Sequence, residues 1–130
     1  MKELTNVTGD ITIAGDCACY RPAGEVSLDE AVELVDRAVV FVRERRIPKL
    51  LINATGLTGF APPSLPDRYF AARRFAASAQ GIVQLALVVS AKIIDPEKFG
   101  VTVARNAGMN VDVFAAEPEA LTWLSRQRPE

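Results

Sequence analysis

The sequence predicts an α/β fold: a small, mostly parallel mixed β-sheet with an N-terminal hairpin and about four helices packed on it. Short apolar runs rich in branched side chains alternate with segments of helical periodicity, and turn-forming residues separate them. This alternation requires parallel pairing of the later strands through right-handed crossovers. With 130 residues, 49% of them hydrophobic, we expect one domain over residues 1–130 with a core at about 9–126.

The first predicted element is a β-hairpin. Residues 11–13 and 17–20 read as extended segments around a turn at Gly15 and Asp16. Residues 21–24 contain a proline and a glycine, so we expect the regular pattern to stop there.

The first predicted helix begins at Ser27, which forms a capping box with Glu30. Apolar residues at helical spacing predict one buried stripe. The stripe consists of Leu28, Ala31, Val32, Val35, Ala38, Val39 and Val42. Leu34 and Phe41 lie off it, so they either widen the core face or form an exposed apolar strip that would suit a homodimer.

The middle of the chain contains an unusual loop. Pro48 stops the helix, and residues 49–53 are expected to form a buried parallel strand. Residues 54–66 contain two glycines and three prolines, which predict a rigid loop that is neither helix nor regular strand. A helix over residues 67–79 follows. Because shaped loops often carry function, this one is a candidate site.

Two more strand and helix pairs complete the predicted sheet. They are a strand over residues 82–89, a helix capped by Asp95 that ends at Gly108, a strand over residues 111–114, and a helix over residues 118–126. In the last helix, Leu121 and Leu124 are expected to pack inward, with Trp123 covering an edge of the core.

The composition excludes several function classes. The chain has no histidine, which rules out Ser-His-Asp and Cys-His catalysis. Cys17 and Cys19 are the only cysteines, are expected to be reduced and buried, and lack partners for a metal site. We therefore expect no cofactor and no metal. An enzyme without histidine chemistry, using Lys92 with Asp95 or Asp67, is a remaining alternative.

Charge and hydropathy argue against two kinds of partner. The 15 basic and 16 acidic residues give a net charge of −1, so no overall field attracts nucleic acid. No segment reaches the about 20 apolar residues that a membrane span needs, and no signal peptide is evident. We expect a cytoplasmic protein that does not span a membrane.

Four short runs carry a family resemblance. They are KLLINATGLTGF at residues 49–60, IDPEKFG at 94–100, ARNAG at 104–108 and ALTWL at 120–124. In this order they resemble the SpoIIAA-like family of STAS domains (sulfate transporter and anti-sigma factor antagonist), over roughly residues 9–126. The resemblance implies a STAS/SpoIIAA-like mixed sheet covered by helices, a cytoplasmic location and a binding role.

The chain departs from that family at its regulatory motif. In the anti-sigma antagonists, a serine in an Asp-Ser-Ser or Asp-Ser-Gly motif is phosphorylated by a partner kinase. Ala61 and Pro62 stand at the matching positions here. The nearest hydroxyls are those of Thr58 and Ser64, where a phosphate beside Arg68 could reorder the loop.

The leading functional hypothesis is a non-catalytic regulatory module of the STAS type. It would bind a partner protein, such as a kinase or a regulator of a sigma factor, through the loop 55–66 and the following helix. The candidate contact residues in the loop are Thr55, Thr58, Phe60 and Ser64.

The main alternative is a domain that binds a small anionic molecule or a lipid, because open α/β sheets bind ligands beyond the carboxyl ends of their strands. Asn53 and Thr55 follow one strand, and Ser90 and Lys92 follow its expected neighbour. Arg68 would reach in from the next helix to hold the anion.

Overall fold

The computed structural model describes residues 7–127, which form seven strands and four helices. The strands are β1 (Ile11–Ala14), β2 (Cys17–Tyr20), β3 (Ala23–Glu25), β4 (Lys49–Asn53), β5 (Gly56–Thr58), β6 (Gln84–Val88) and β7 (Asn110–Phe114). The helices are α1 (Leu28–Glu44), α2 (Leu65–Ala79), α3 (Phe99–Asn106) and α4 (Glu117–Ser125).

Five strands form the main sheet in the order β1-β2-β4-β6-β7. Strands β1 and β2 are an antiparallel hairpin, and every later pair in this sheet is parallel. Strands β3 and β5 form a separate parallel pair. The predicted fold class, a mostly parallel mixed sheet with an N-terminal hairpin and four helices, is therefore confirmed.

Side chains of the central strand β4 alternate between two cores. Leu50 and Ile52 belong to a large cluster with residues of α1, α2 and α3, and all four β4 residues from Lys49 to Ile52 are buried. Leu51 faces the other way and packs in a smaller cluster with Ala120 and Leu124 of α4. The sheet thus has three helices on one face and one on the other, as the period of two along a strand dictates.

Helix α1 confirms the predicted capping box, in which Ser27 and Glu30 each accept from the other's backbone N–H. Leu34 is only 6% exposed, so it widens the core rather than forming a surface strip. Phe41 is partly buried against the same core, and the Arg45 guanidinium lies 3.5 Å from its ring centre. The exposed strip considered as a reason for a homodimer is therefore not formed.

The loop between β4 and α2 differs from its prediction. Residues 56–58 form strand β5, which pairs in parallel with β3 in the segment where the regular pattern was expected to stop. The Val26 N–H donates to the Thr58 carbonyl at 2.7 Å and extends this pairing. Gly59 follows with φ near 102°, a backbone conformation that favours glycine. The pairing joins residues distant in sequence, so local composition did not reveal it.

Two helix starts also differ from their predictions. Helix α2 begins at Leu65 rather than residue 67, because Ser64 and Asp67 form a second capping box. Helix α3 begins at Phe99, although Asp95 was expected to be its N-cap. Lys98 adopts a left-handed conformation before α3, and Asp95 accepts from the Phe99 N–H at 2.7 Å from the preceding turn.

Helix α4 and the two cysteines agree with their predicted burial only in part. Helix α4 buries Leu124 as predicted, but Leu121 is 44% exposed, because it lies on the outer side of the helix. Cys17 and Cys19 are free, as expected, but they are only partly buried on the face covered by α4. Burial, and then its neighbour Cys19, raises the pKa of the Cys17 thiol to about 11. The protonated thiol is a poor nucleophile at neutral pH.

Candidate functional site

A partly open cavity of about 180 Å³ lies between the main sheet and helices α1, α2 and α3. It reaches past the carboxyl ends of β4 and β6, the edge at which open α/β sheets bind ligands. The apolar lining includes Val32, Val35, Leu57, Phe60, Ala71, Phe75, Leu85, Leu87, Val89, Ile94, Met109 and Val113. A cavity of this size is large enough for a small organic molecule.

Four charged residues contribute to the cavity wall: Asp67, Arg68, Asp95 and Lys98. All four form hydrogen bonds within the protein. Asp67 and Asp95 accept from the backbone N–H groups of Ser64 and Phe99. The Lys98 ammonium donates to Asp112 at 2.7 Å and to the Val113 carbonyl at 3.2 Å. Lys98 is thus paired with a carboxylate, and Asp67 and Asp95 each have a backbone donor.

Arg68 is the fourth charged residue of the wall. It is partly buried, and its Nε donates to the Pro63 carbonyl at 3.1 Å. Within residues 7–127, no carboxylate forms an ion pair with its guanidinium. Because one guanidinium carries five donors, Arg68 has capacity left to bind an anion in a bidentate manner.

A second polar cluster lies on the opposite face of the sheet, under α4. Arg21 donates to both carboxylate oxygens of Glu117 at 2.7 and 2.9 Å. The Asn53 side-chain amide donates to the same carboxylate at 2.7 Å. These hydrogen bonds, that of Arg21 first, lower the pKa of Glu117 to about 2. The cluster links the residue after β2, the end of β4 and the first turn of α4.

The structure separates the residues that were predicted to share one anion site. Asn53 lies two residues after Leu51 in β4, so both side chains point towards α4. Its Oδ1 accepts from both the backbone N–H and the hydroxyl of Thr55. Arg68 instead lines the cavity on the other face. Ser90 and Lys92 are exposed in the turn after β6, where the Ser90 hydroxyl accepts from the Lys92 N–H at 3.4 Å.

The predicted loop residues have different surroundings. Thr55 and Thr58 are exposed. Phe60 is partly buried against Val26, Ala31, Leu34 and Leu57, and also lines the cavity. Ser64 is exposed and its hydroxyl caps α2 by accepting from the Asp67 N–H at 3.2 Å. Phe60 is thus part of the interior, whereas the three hydroxyl side chains remain accessible from solvent.

An exposed apolar patch, Leu65, Tyr69 and Phe70, lies on the first half of α2. These side chains are 55%, 40% and 69% exposed. Leu65 and Tyr69 are four residues apart and share a helix face, and the Tyr69 and Phe70 rings meet edge to face with centres 5.4 Å apart. The sequence predicts the helix but does not single out these residues. Their position off the buried stripe Ala72, Ala76 and Ala79 is the signal that could have found them.

Neither a cluster of metal-ligating side chains nor a helix able to cross a membrane occurs within residues 7–127. No group of three or more cysteine, aspartate or glutamate side chains there is arranged to hold a metal ion. No helix in that range has both the length and the apolar content to cross a membrane. Asp67 and Asp95, considered as catalytic partners of Lys92, each accept from a backbone N–H group.

No family model and no curated protein matches the sequence. Solved structures do match. An anti-sigma factor antagonist from Mycobacterium paratuberculosis has a TM-score of 0.59 and 12% identity over 96% of this chain and 99% of its own. SpoIIAA in its unphosphorylated form has a TM-score of 0.46 and 15% identity over 92% and 100%. An uncharacterised Shewanella loihica protein with a SpoIIAA-like fold has 0.46 and 16% over 92% and 94%. The first match establishes the anti-sigma factor antagonist fold, as the resemblance implied.

Proposed function

We propose that this chain, which has the fold of anti-sigma factor antagonists, is a regulatory module that binds a partner protein through the loop 55–66 and the first half of α2. The observation that carries the proposal is the exposed apolar patch Leu65, Tyr69 and Phe70. Aromatic side chains held on a helix are effective binding anchors, because they bury much area and lose little conformational entropy.

The surroundings of the patch support a docking role. The Ser64–Asp67 capping box fixes the start of α2, so the patch is presented on an ordered helix. The preceding residues Ala61 and Pro62 are exposed, and proline limits their freedom. A surface that is ordered before binding loses less entropy when it docks.

The structural neighbour supports one kind of partner. That neighbour is an anti-sigma factor antagonist. We propose that the partner here is a regulator of a sigma factor or a kinase associated with one. The module itself is non-catalytic in this proposal, and its cytoplasmic location remains a prediction from the sequence.

Quantitative affinity capture tests the patch. Wild-type protein and the Phe70→Ser variant would be used to capture proteins from the native lysate, followed by mass spectrometry and by reconstitution with the purified partner. We expect at least a tenfold loss of affinity for Phe70→Ser, because removing an aromatic anchor costs about 2 kcal/mol or more.

The matched control is Leu121→Ser, which removes another exposed apolar side chain, on α4. It should leave binding to the reconstituted partner unchanged. The proposal fails if Phe70→Ser and Leu121→Ser bind the partner equally well. It also fails if the wild-type protein captures neither a regulator of a sigma factor nor a kinase.

We also propose that Thr58 or Ser64 is the site at which such a kinase would act. Both hydroxyl side chains are exposed, and Ser64 lies where a phosphate would meet the N-terminus of α2. Intact-mass spectrometry after incubation with the partner kinase tests this. A single added phosphate that Thr58→Val or Ser64→Ala removes is expected, and a phosphate retained in the double variant would exclude both residues.

A further inference from the structure

We propose that the cavity between the sheet and helices α1, α2 and α3 binds a compact carboxylate amphiphile, with its apolar chain inside the cavity and its carboxylate on Arg68. The site differs from the exposed patch on α2, and the inference does not depend on the proposed partner. It also differs from the sequence-based anion site, because Asn53 faces the opposite side of the sheet.

The size of the cavity limits the occupant. An engineered cavity of about 150 Å³ with an apolar lining stays dry and binds benzene. The cavity here measures about 180 Å³. By the same scale it accommodates a chain of roughly six to eight carbon atoms. A complete membrane lipid is too large, so the expected ligand class is a medium-chain fatty acid or an acid of similar size.

The lining favours an apolar chain over a polar metabolite. Leu85 and Leu87 of β6 form the floor, and Val32 and Phe75 contribute from α1 and α2. Apart from Asp67, Arg68, Asp95 and Lys98, the side chains of the cavity wall are apolar. A sugar or nucleotide buried there would leave its hydrogen-bonding groups without partners, at a high desolvation cost.

The hydrogen-bond partners of the charged wall residues favour an anionic head group placed on Arg68. The two wall carboxylates each accept from a backbone N–H, and Lys98 is paired with Asp112. Arg68 has only the Pro63 carbonyl as a partner among the described residues. An anionic head group therefore adds the counter-charge that this guanidinium lacks, whereas a cationic head group would meet its repulsion.

A titration with sodium octanoate, followed by ¹H–¹⁵N NMR on the full chain, tests the inference below the critical micelle concentration. We expect saturable shifts in the amides of cavity-lining residues such as Ala54, Ile93 and Gly100. Arg68→Gln should weaken octanoate binding about tenfold or more, because a charge-assisted hydrogen bond is lost. Arg73→Gln, an exposed arginine on the same helix that does not line the cavity, is the matched control.

Two further measurements distinguish the contribution of the ligand's apolar chain from that of its head group. Octan-1-ol should bind wild-type and Arg68→Gln protein equally, since it has no charge to lose. Ala71→Leu places a larger side chain in the cavity wall and should abolish binding of both compounds. Val32→Met fills the cavity from α1 and replaces Ala71→Leu if that variant does not fold.

Three results would overturn the inference. The first is the absence of saturable octanoate shifts at millimolar concentration. The second is an equal loss of affinity in Arg68→Gln and Arg73→Gln. The third is unchanged binding in both cavity-filling variants. The pattern of shifts also distinguishes this site from the partner surface, because Leu65, Tyr69 and Phe70 do not line the cavity.

Discussion

The two faces of the main sheet differ in packing and in charge. Under α4, the apolar core is closed around Leu51 and Ala120, both fully buried, and the Glu117 carboxylate is held by Arg21 and Asn53. Under α1, α2 and α3, the core leaves a cavity of about 180 Å³, and Arg68 has no carboxylate partner among the described residues.

The face covered by α4 contributes mainly to stability, whereas the face with the cavity is the one proposed to bind a ligand. A closed face contributes dispersion contacts and hydrogen bonds to the stability of the fold. A face with a void gives up some of those contacts and keeps room and charge for another molecule. Alternate side chains of β4 and β6 point to opposite sides of the sheet, so the same strands contribute residues to both faces.

The largest expected effect comes from truncating a leucine on the closed face. Leu51→Ala should lower the free energy of unfolding by about 2–5 kcal/mol, because it leaves a new cavity in a filled core. Leu87→Ala, on the neighbouring strand beside the existing cavity, should cost less than the lower end of that range. Urea unfolding of both variants measures the difference. Equal losses would contradict the contrast between the faces.

Enlarging a side chain should give the same order of sensitivity, with the larger loss of stability again on the face covered by α4. Ala120→Leu adds volume where Ala120 has no exposed surface, and overpacking of this kind costs about 1–3 kcal/mol. Ala71→Leu grows into the cavity and should change the stability by less than about 1 kcal/mol. Thermal unfolding monitored by circular dichroism measures both. A larger loss for Ala71→Leu would show that the cavity closes in solution.

The charge pairing on the α4 face predicts a pH dependence. Because the folded-state pKa of Glu117 is about 2 and the ordinary value is 4.5, its contribution is complete above about pH 4.5 and is lost as the pH falls towards 2. Arg21 is 54% exposed, so solvent screening reduces this contribution to roughly 1 kcal/mol.

Unfolding by urea across that acidic range measures this contribution. Glu117→Gln should lose most of the wild-type pH dependence. Glu119→Gln, which removes an acidic residue from the same first turn of α4, should retain it. If the two variants behave alike, the helix dipole rather than Arg21 and Asn53 is responsible.

The smallest expected effect on stability is that of Arg68→Gln. The substitution removes one hydrogen bond to the Pro63 carbonyl and no ion pair with a described residue, so the change should be within about 1 kcal/mol. Differential scanning calorimetry without added ligand checks this value. A loss of stability comparable to that of Leu51→Ala would mean that the guanidinium stabilises the fold, which would contradict its proposed role in ligand binding.

The features that sequence predicted well are local ones. The Ser27 capping box, the stripe on α1 and the buried run of β4 follow from spacing within a few residues. Strands β3 and β5 were missed because their pairing depends on residues brought together by the whole fold. The start of α3 was misplaced because Asp95 and Pro96 resemble an N-cap, yet Lys98 changes the direction of the backbone before Phe99.

The candidate site was predicted only in part. Sequence placed Arg68 near the carboxyl ends of the strands, and it lines the cavity there. It did not show that Asn53 points to the other face, although the spacing of Leu51 and Asn53 contains that information. The sequence does not show which helix covers which face of the sheet. Asn53 and its partner Glu117 are 64 residues apart in the chain, so their contact is not visible in local patterns.

The cavity also governs how the molecule responds to compression. Unfolding eliminates internal voids, and this loss contributes to the volume decrease of about 20–100 mL/mol that makes folded proteins sensitive to hydrostatic pressure. The void here is confined to the side of the sheet covered by α1, α2 and α3. Pressure therefore acts first on that side, and a bound molecule that fills the void makes the protein stiffer.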